Sequence, residues 1–142
     1  MECDVAVLGG GPGGYTAAIR AAQLGARVAC IEKEPAIGGT CLRVGCIPTK
    51  AWVQTAHALR DAGETFPKLG VAVGEPRLDM AAASAWKDGV VKQMTQGVAS
   101  LFRANGVEWI KGTGRFRDAG TIAVEGGEDV TLTSAEIGRA HV

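Results

Sequence analysis

The run Asp4-Val5-Ala6-Val7-Leu8 leads straight into Gly9-Gly10-Gly11-Pro12-Gly13-Gly14, and no other stretch restricts the fold as much. A short apolar run with no polar alternation is what a strand buried on both faces requires. Tyr15 to Leu24 is alanine-rich with helical spacing, and Gly25 stops it. Arg27-Val28-Ala29-Cys30-Ile31 reads as a second strand, ending in Glu32. Gly9, Gly11 and Gly14 fit G-x-G-x-x-G, and strand–turn–helix–strand is the context in which that motif signals a dinucleotide site. Gly9 permits the tight turn, Gly11 admits a pyrophosphate close to the backbone, and Gly14 lets the helix lie on the strand. The helix N-terminus then turns free N–H groups and a positive dipole end toward phosphate. Pro12 forfeits no hydrogen bond at the helix start, and Gly13 lies in the same turn. Glu32, 18 residues beyond Gly14, is the candidate acceptor for a ribose hydroxyl and disfavours a 2′-phosphate. A glycine turn without a ligand is the alternative.

The second informative stretch is Gly38-Gly39-Thr40-Cys41-Leu42-Arg43-Val44-Gly45-Cys46-Ile47-Pro48-Thr49-Lys50. Residues after Cys46 have helical spacing. An unbroken helix through both cysteines would separate their Cα atoms by about 7.5 Å along the axis, whereas a relaxed disulfide spans no more than roughly 6.8 Å. A Cys41–Cys46 bridge therefore demands an interrupted turn, expected at Gly45 and Pro48. A strained, accessible bridge would be easily reduced, and a helix N-terminus would stabilise a thiolate. Cysteines of this kind can also be no more than small buried hydrophobes. Zinc fits poorly, because Cys3 and Cys30 are isolated and His57 and His141 form no matching pair. Cys30 reads as a core residue of the second strand, Cys3 as incidental.

Fifteen basic residues balance fifteen acidic ones among 142, which gives no footing for a nucleic-acid or membrane-surface partner. No apolar run approaches the roughly 20 residues of a membrane span. A strand pattern starts so near Met1 that no targeting peptide is expected, which points to the cytoplasm. In a reducing compartment a close cysteine pair is catalytic more often than structural.

Three motifs in order carry a family resemblance: Gly9 through Tyr15, Ala17 through Gly25, and Gly39-Thr40-Cys41 through Lys50. Together they resemble the dihydrolipoamide dehydrogenase family, flavoenzymes within the wider disulfide oxidoreductases that also include glutathione and mercuric reductases. The resemblance implies a non-covalent, extended FAD, with NAD as co-substrate. Glu32 would bind the adenosine ribose, and residues from Glu32 to Cys41, including Lys33, Gly38, Gly39 and Thr40, would line the cofactor. Cys41 would be the interchange thiol, Cys46 the charge-transfer thiol beside the flavin, and Lys50 would lie near flavin N5. Gly114, in Gly112-Thr113-Gly114-Arg115-Phe116, would contact adenine through its backbone. Partners would be lipoyl-bearing proteins and a second copy of the chain. Arg43 stands where the family usually has asparagine, Thr49 where serine is common.

Further on, the helix after Lys50 is expected to reach about Ala62, and a long helix is expected from Leu78 to Asn105, closed by Asn105-Gly106. Val107 to Lys111 should rejoin the sheet, and Thr121–Val124 with Val130–Leu132 should form an antiparallel hairpin. Trp86 and Trp109 read as packing residues, and Trp52 as facing a core or a partner. Glu136 to Val142 shows no strand pattern and reads as a non-native tail, which leaves 1–135 as the domain and His141 outside the chemistry.

The expected fold is α/β: a Rossmann-like FAD-binding domain with a parallel sheet, helices and part of an antiparallel meander, truncated. The expected activity is electron transfer from dihydrolipoamide through Cys41–Cys46 to FAD and on to NAD. The isolated chain is expected to bind FAD poorly and to show no turnover. A glutathione- or mercuric-reductase-like enzyme and a nucleotide-binding module without chemistry are the alternatives.

Overall fold

The computed structural model describes residues 1–127, 129–132 and 137–139. Two four-stranded sheets and a helical layer make three layers. The elements are β1 (Glu2–Cys3), β2 (Val5–Leu8), α1 (Pro12–Gln23), β3 (Val28–Glu32), α2 (Gly39–Arg43), α3 (Cys46–Arg60), α4 (Met80–Ala104), β4 (Glu108–Lys111), β5 (Gly114–Asp118), β6 (Thr121–Val124), β7 (Val130–Leu132) and β8 (Ile137–Arg139). A π-helical turn over Asp61–Thr65 and a 3₁₀ turn over Pro67–Leu69 link α3 to an irregular stretch before α4.

The first sheet is parallel, in the order β4-β3-β2-β8. Every residue of β3 is buried, so its alternating side chains feed two cores. Val28 and Cys30 join Val7, Ala18, Ile37, Leu42, Val98, Phe102 and Val107 under the helices. Ala29 and Ile31 join Cys3, Ala6, Ile122, Val124 and Val130 against the second sheet. That second sheet, ordered β1-β7-β6-β5, runs antiparallel from β5 to β7 and takes β1 as a parallel edge.

The expected β2–α1–β3 unit, the long helix and the β6–β7 hairpin are present. Three expectations change. Cys3 is not incidental: it lies in β1, pairs in register with Leu132 and is fully buried in the second core. Gly114–Asp118 forms a strand that sequence patterning did not signal, because β5 is a largely exposed sheet edge with charges where a core strand would alternate. Ile137–Arg139, in the stretch read as lacking a strand, pairs parallel with β2, Ala6 opposite Ile137 and Leu8 opposite Arg139. Backbone pairing along an open edge needs no apolar pattern, which is why the pattern missed it. His141, with the rest of 140–142, lies outside the described residues.

Phe102 is 1% exposed and anchors α4 in the core beneath the helices. Phe102→Ala is expected to lower the unfolding free energy by about 3–5 kcal/mol. Leu101→Ala, next to it but half exposed, should change it by less than about 0.5 kcal/mol. Urea denaturation of both variants checks the contrast.

Candidate dinucleotide and dithiol site

The parallel strands end where the glycine turn begins. Gly11 caps α1, Pro12 opens it, and Gly13 and Gly14 follow in its first turn, with Gly14 buried. At the neighbouring strand end the Glu32 side chain turns back under this loop. Its Oε2 accepts from the Gly10 N–H at 2.7 Å, and its Oε1 from the Glu34 N–H at 2.9 Å. The residue is only 6% exposed. A buried carboxylate persists when hydrogen bonds replace its water. Two backbone donors use part of the roughly four acceptor sites of a carboxylate, so capacity remains for a further donor.

The segment after β3 returns to the same turn. The Gly38 N–H donates to the Gly10 carbonyl at 2.8 Å. Gly39 starts α2 at φ +58, and a Cβ there would lie 2.6 Å from the Gly11 Cα. Both the backbone angle and the contact require glycine. The glycine turn and the start of α2 thus form one continuous backbone surface.

α2 stops at Arg43, and α3 begins at Cys46. The break falls at Val44–Gly45, where a Cβ on Gly45 would sit 2.9 Å from the Thr40 carbonyl oxygen. Pro48, expected to share in the interruption, is instead a buried residue of the first turn of α3, where its missing N–H costs nothing. The break brings the two thiols together. No disulfide joins any of the four cysteines. The neighbouring Cys46 thiol raises the Cys41 pKa above its ordinary value; Lys50 acts weakly the other way. Cys46 is exposed and Cys41 half-buried. Burial pushes the Cys30 thiol up to about 12 and raises Cys3 as well, so both are inert at neutral pH.

A cleft of about 780 Å³ opens over the strand ends. Of the residues singled out in the sequence, Gly9, Gly11, Glu32, Lys33, Gly39, Thr40 and Gly114 line it. Pro12, Gly13, Gly14 and Gly38 stand behind this lining in α1 and the loop before α2, and Lys50 lies on α3. The two thiols lie beside the cleft, Cys41 packing toward the core under the helices. Glu34, within the expected Glu32-to-Cys41 stretch, also lines the cleft, whereas the sequence reading missed Arg43, Arg115 and Phe116. Arg43 alone left a signal, as the departure from the cysteine motif. His57, eleven residues along α3 from Cys46, is roughly 16 Å away along the helix axis and cannot serve Cys41 as a base. Trp109 packs against the core as expected, under Lys111 Nζ at 4.8 Å, whereas Trp86 is nearly half exposed. Trp52 is half-buried, with Lys87 Nζ 6.0 Å from its ring centroid. Among the described residues there is no cluster that could hold a metal ion, and no helix long and apolar enough to cross a membrane.

A family model described as pyridine nucleotide-disulphide oxidoreductase matches residues 3–136. The chain belongs to this family. Within it, the chain is 46% identical to dihydrolipoyl dehydrogenase 2, mitochondrial, of Arabidopsis thaliana over 94% of its own length and 27% of that protein's. It is also 46% identical to dihydrolipoyl dehydrogenase 3 of Pseudomonas putida, again over 94% of its length and 29% of the relative's. Among solved structures, a copper(II) complex of the HOCl-induced flavoprotein disulfide reductase RclA from Escherichia coli superimposes with a TM-score of 0.76 at 26% identity, over 98% of this chain and 29% of that one. The chain spans about a quarter of the length of the curated relatives it matches.

The surroundings of Cys41 give opposed pH effects. Cys46→Ala removes the neighbouring thiol that raises the Cys41 pKa and should move the pH profile of Cys41 alkylation by iodoacetamide to lower pH. Lys50→Met removes a cation that favours the thiolate and should move it to higher pH. Peptide mass mapping of alkylated Cys41 across pH reads both; equal shifts in one direction would contradict the assignment.

Proposed function

We propose that the chain is the FAD-binding, dithiol-bearing part of a dihydrolipoyl dehydrogenase, which reoxidises protein-bound dihydrolipoamide with NAD as final acceptor. One observation carries this reading: a single five-residue helix, α2, presents Thr40 and Arg43 to the cleft and Cys41 to Cys46. Nucleotide site and dithiol are thereby one unit. The fit to FAD rests on the donor set: a backbone cradle that side chains would fill, an α-helix N-terminus beside it, and a buried carboxylate with acceptor capacity left for a ribose hydroxyl.

In this reading Gly9, Gly11 and the first turn of α1 take the pyrophosphate, Glu32 the ribose, and the backbone at Gly114 the adenine. Lys33, Gly38, Gly39 and Thr40 border the cofactor, and Lys50 approaches it from α3. In the oxidised enzyme a substrate thiolate attacks Cys41 Sγ, and Cys46 leaves as a thiolate. The second substrate thiolate then closes the lipoamide ring and expels Cys41, so substrate dithiol becomes disulfide and enzyme disulfide becomes dithiol. FAD, when bound, supplies the two-electron acceptor that relays the pair from Cys46 to NAD. Because the neighbouring Cys46 raises the Cys41 pKa, exchange that starts from the Cys41 thiol needs a proton acceptor.

The partners in this reading are lipoyl-bearing proteins and a second copy of the complete enzyme, and the compartment is the cytoplasm, where closely spaced thiols stay reduced. Glutathione- and mercuric-reductase activities are the weaker alternatives, because the relatives at 46% identity are dihydrolipoyl dehydrogenases.

The test is a chimera in which this chain replaces the matching segment of the Pseudomonas putida enzyme. It should purify with flavin and reduce NAD with dihydrolipoamide, and Cys46→Ser should abolish that turnover. A flavin-loaded chimera that turns over only with glutathione would overturn the proposal. In the same chimera Glu32→Ala should weaken FAD binding by about 1–3 kcal/mol, the worth of a hydrogen bond to a charged acceptor. Fluorescence titration of the apoprotein with FAD measures the loss.

A further inference from the structure

One ion pair at the cleft has no part in the reading above. Arg43 Nη2 lies 2.9 Å from Glu34 Oε2, with the side chains 21% and 38% exposed. Arg43 is the last residue of α2, and Glu34 stands in the segment after β3. The Glu34 N–H donates to Glu32, and Glu32 accepts from Gly10. A continuous set of contacts therefore runs from the glycine turn through Glu32 and Glu34 to the end of α2.

α2 is a single turn, too short to hold its own place. Its first end is fixed by backbone: the Gly38 hydrogen bond to Gly10 and the contact of Gly39 with Gly11. Buried Leu42 seats one face. The other end leads through Val44–Gly45 to Cys46, and there the Arg43–Glu34 pair ties α2 back to the β3 side. If that end were released, Cys41 and Cys46 would lose part of their mutual registration. Closing a disulfide demands a sulfur separation of about 2.05 Å and a narrow dihedral range, so registration enters the closure equilibrium as an effective concentration.

We propose that Arg43 is a positioning residue for the dithiol: its pair with Glu34 fixes the C-terminal end of α2 and thereby favours closure of the Cys41–Cys46 disulfide. The proposal rests on the reading of these cysteines as a redox couple. It does not depend on bound FAD.

The test equilibrates the 142-residue chain with mixtures of glutathione and glutathione disulfide, traps it by alkylation and reads the closed fraction by intact mass. Closure breaks two S–H bonds and forms one S–S bond, while one glutathione disulfide takes the electron pair and two protons to become two glutathione thiols. Arg43→Met should shift the equilibrium toward the dithiol by roughly two- to five-fold, the scale of a partly exposed ion pair, and Arg43→Lys should recover part of it. Glu34→Gln should shift it the same way, and the double variant no further than the larger single. The remote pair Arg77–Glu75 supplies the control, and Arg77→Gln should shift nothing.

A field effect makes a different forecast, because removing a cation and removing an anion would move the equilibrium in opposite directions. Opposite shifts for Arg43→Met and Glu34→Gln, additive shifts, or no shift in Arg43→Met would each overturn the proposal. If Arg43→Met does not fold by its thermal transition, Glu34→Gln and a salt series carry the test. Wild type should drift toward the dithiol between roughly 0.02 and 1 M salt as the pair is screened, and Glu34→Gln should not; parallel drift would overturn it. A wild-type pair that never closes in glutathione disulfide would instead sink the redox reading itself.

Discussion

The buried carboxylate of Glu32 is the contact on which the site depends. It ends the central strand, whose two faces feed both cores, and binds the N–H of Gly10 in the first loop and of Glu34 in the next. A charge so placed would be costly without those donors. With them, it fixes two loops that belong to different crossovers relative to one another. The cleft is therefore held open by its own wall, before any ligand enters.

The second constraint is steric. Gly39 against Gly11, and Gly45 against the Thr40 carbonyl, are places where backbone occupies the space a side chain would take. The first closes α2 onto the glycine turn. The second breaks what would otherwise be one helix and brings the two thiols close enough for Cys46 to raise the Cys41 pKa. A dinucleotide cradle and a dithiol become adjacent because a helix that could have been continuous is interrupted once, at the right residue.

Much of this was legible in the sequence because it is local. The β2–α1–β3 unit follows from an apolar run, a glycine signature and an alanine-rich stretch in direct succession, and the doubly buried β3 shows as near-continuous hydrophobicity. The broken helix between the cysteines follows from rise per residue against disulfide reach. What sequence patterning did not reveal depends on edges and on distance. β5 is an exposed edge strand with arginines and an aspartate in place of apolar alternation, β8 is held by backbone pairing, and Cys3 is buried by partners more than a hundred residues away. The Arg43–Glu34 pair belongs to the same class: each residue alone reads as a solvated charge, and only the fold brings them together. Pro48 shows the converse, a residue type with a strong local reputation that sits harmlessly in a first helical turn.

The pairing of β1 with β7 also has a bearing on how the molecule is made. Glu2 lies beside Thr131 and Cys3 beside Leu132, while the amino terminus donates to the Asp129 carbonyl. Residues 2 and 3 thus pair with a segment 129 residues further along the chain. Both layers depend on late residues: the parallel layer has β2 and β3 early but gains β4 at 108–111 and β8 at 137–139, and the antiparallel layer lacks β7 until residues 130–132. Contacts at such sequence separation are entropically slow to form, so the face of Ala6, Ala29 and Ile31 stays uncovered until residues 122–130 have folded onto it. Until then that apolar face is the part of the folding chain most open to association.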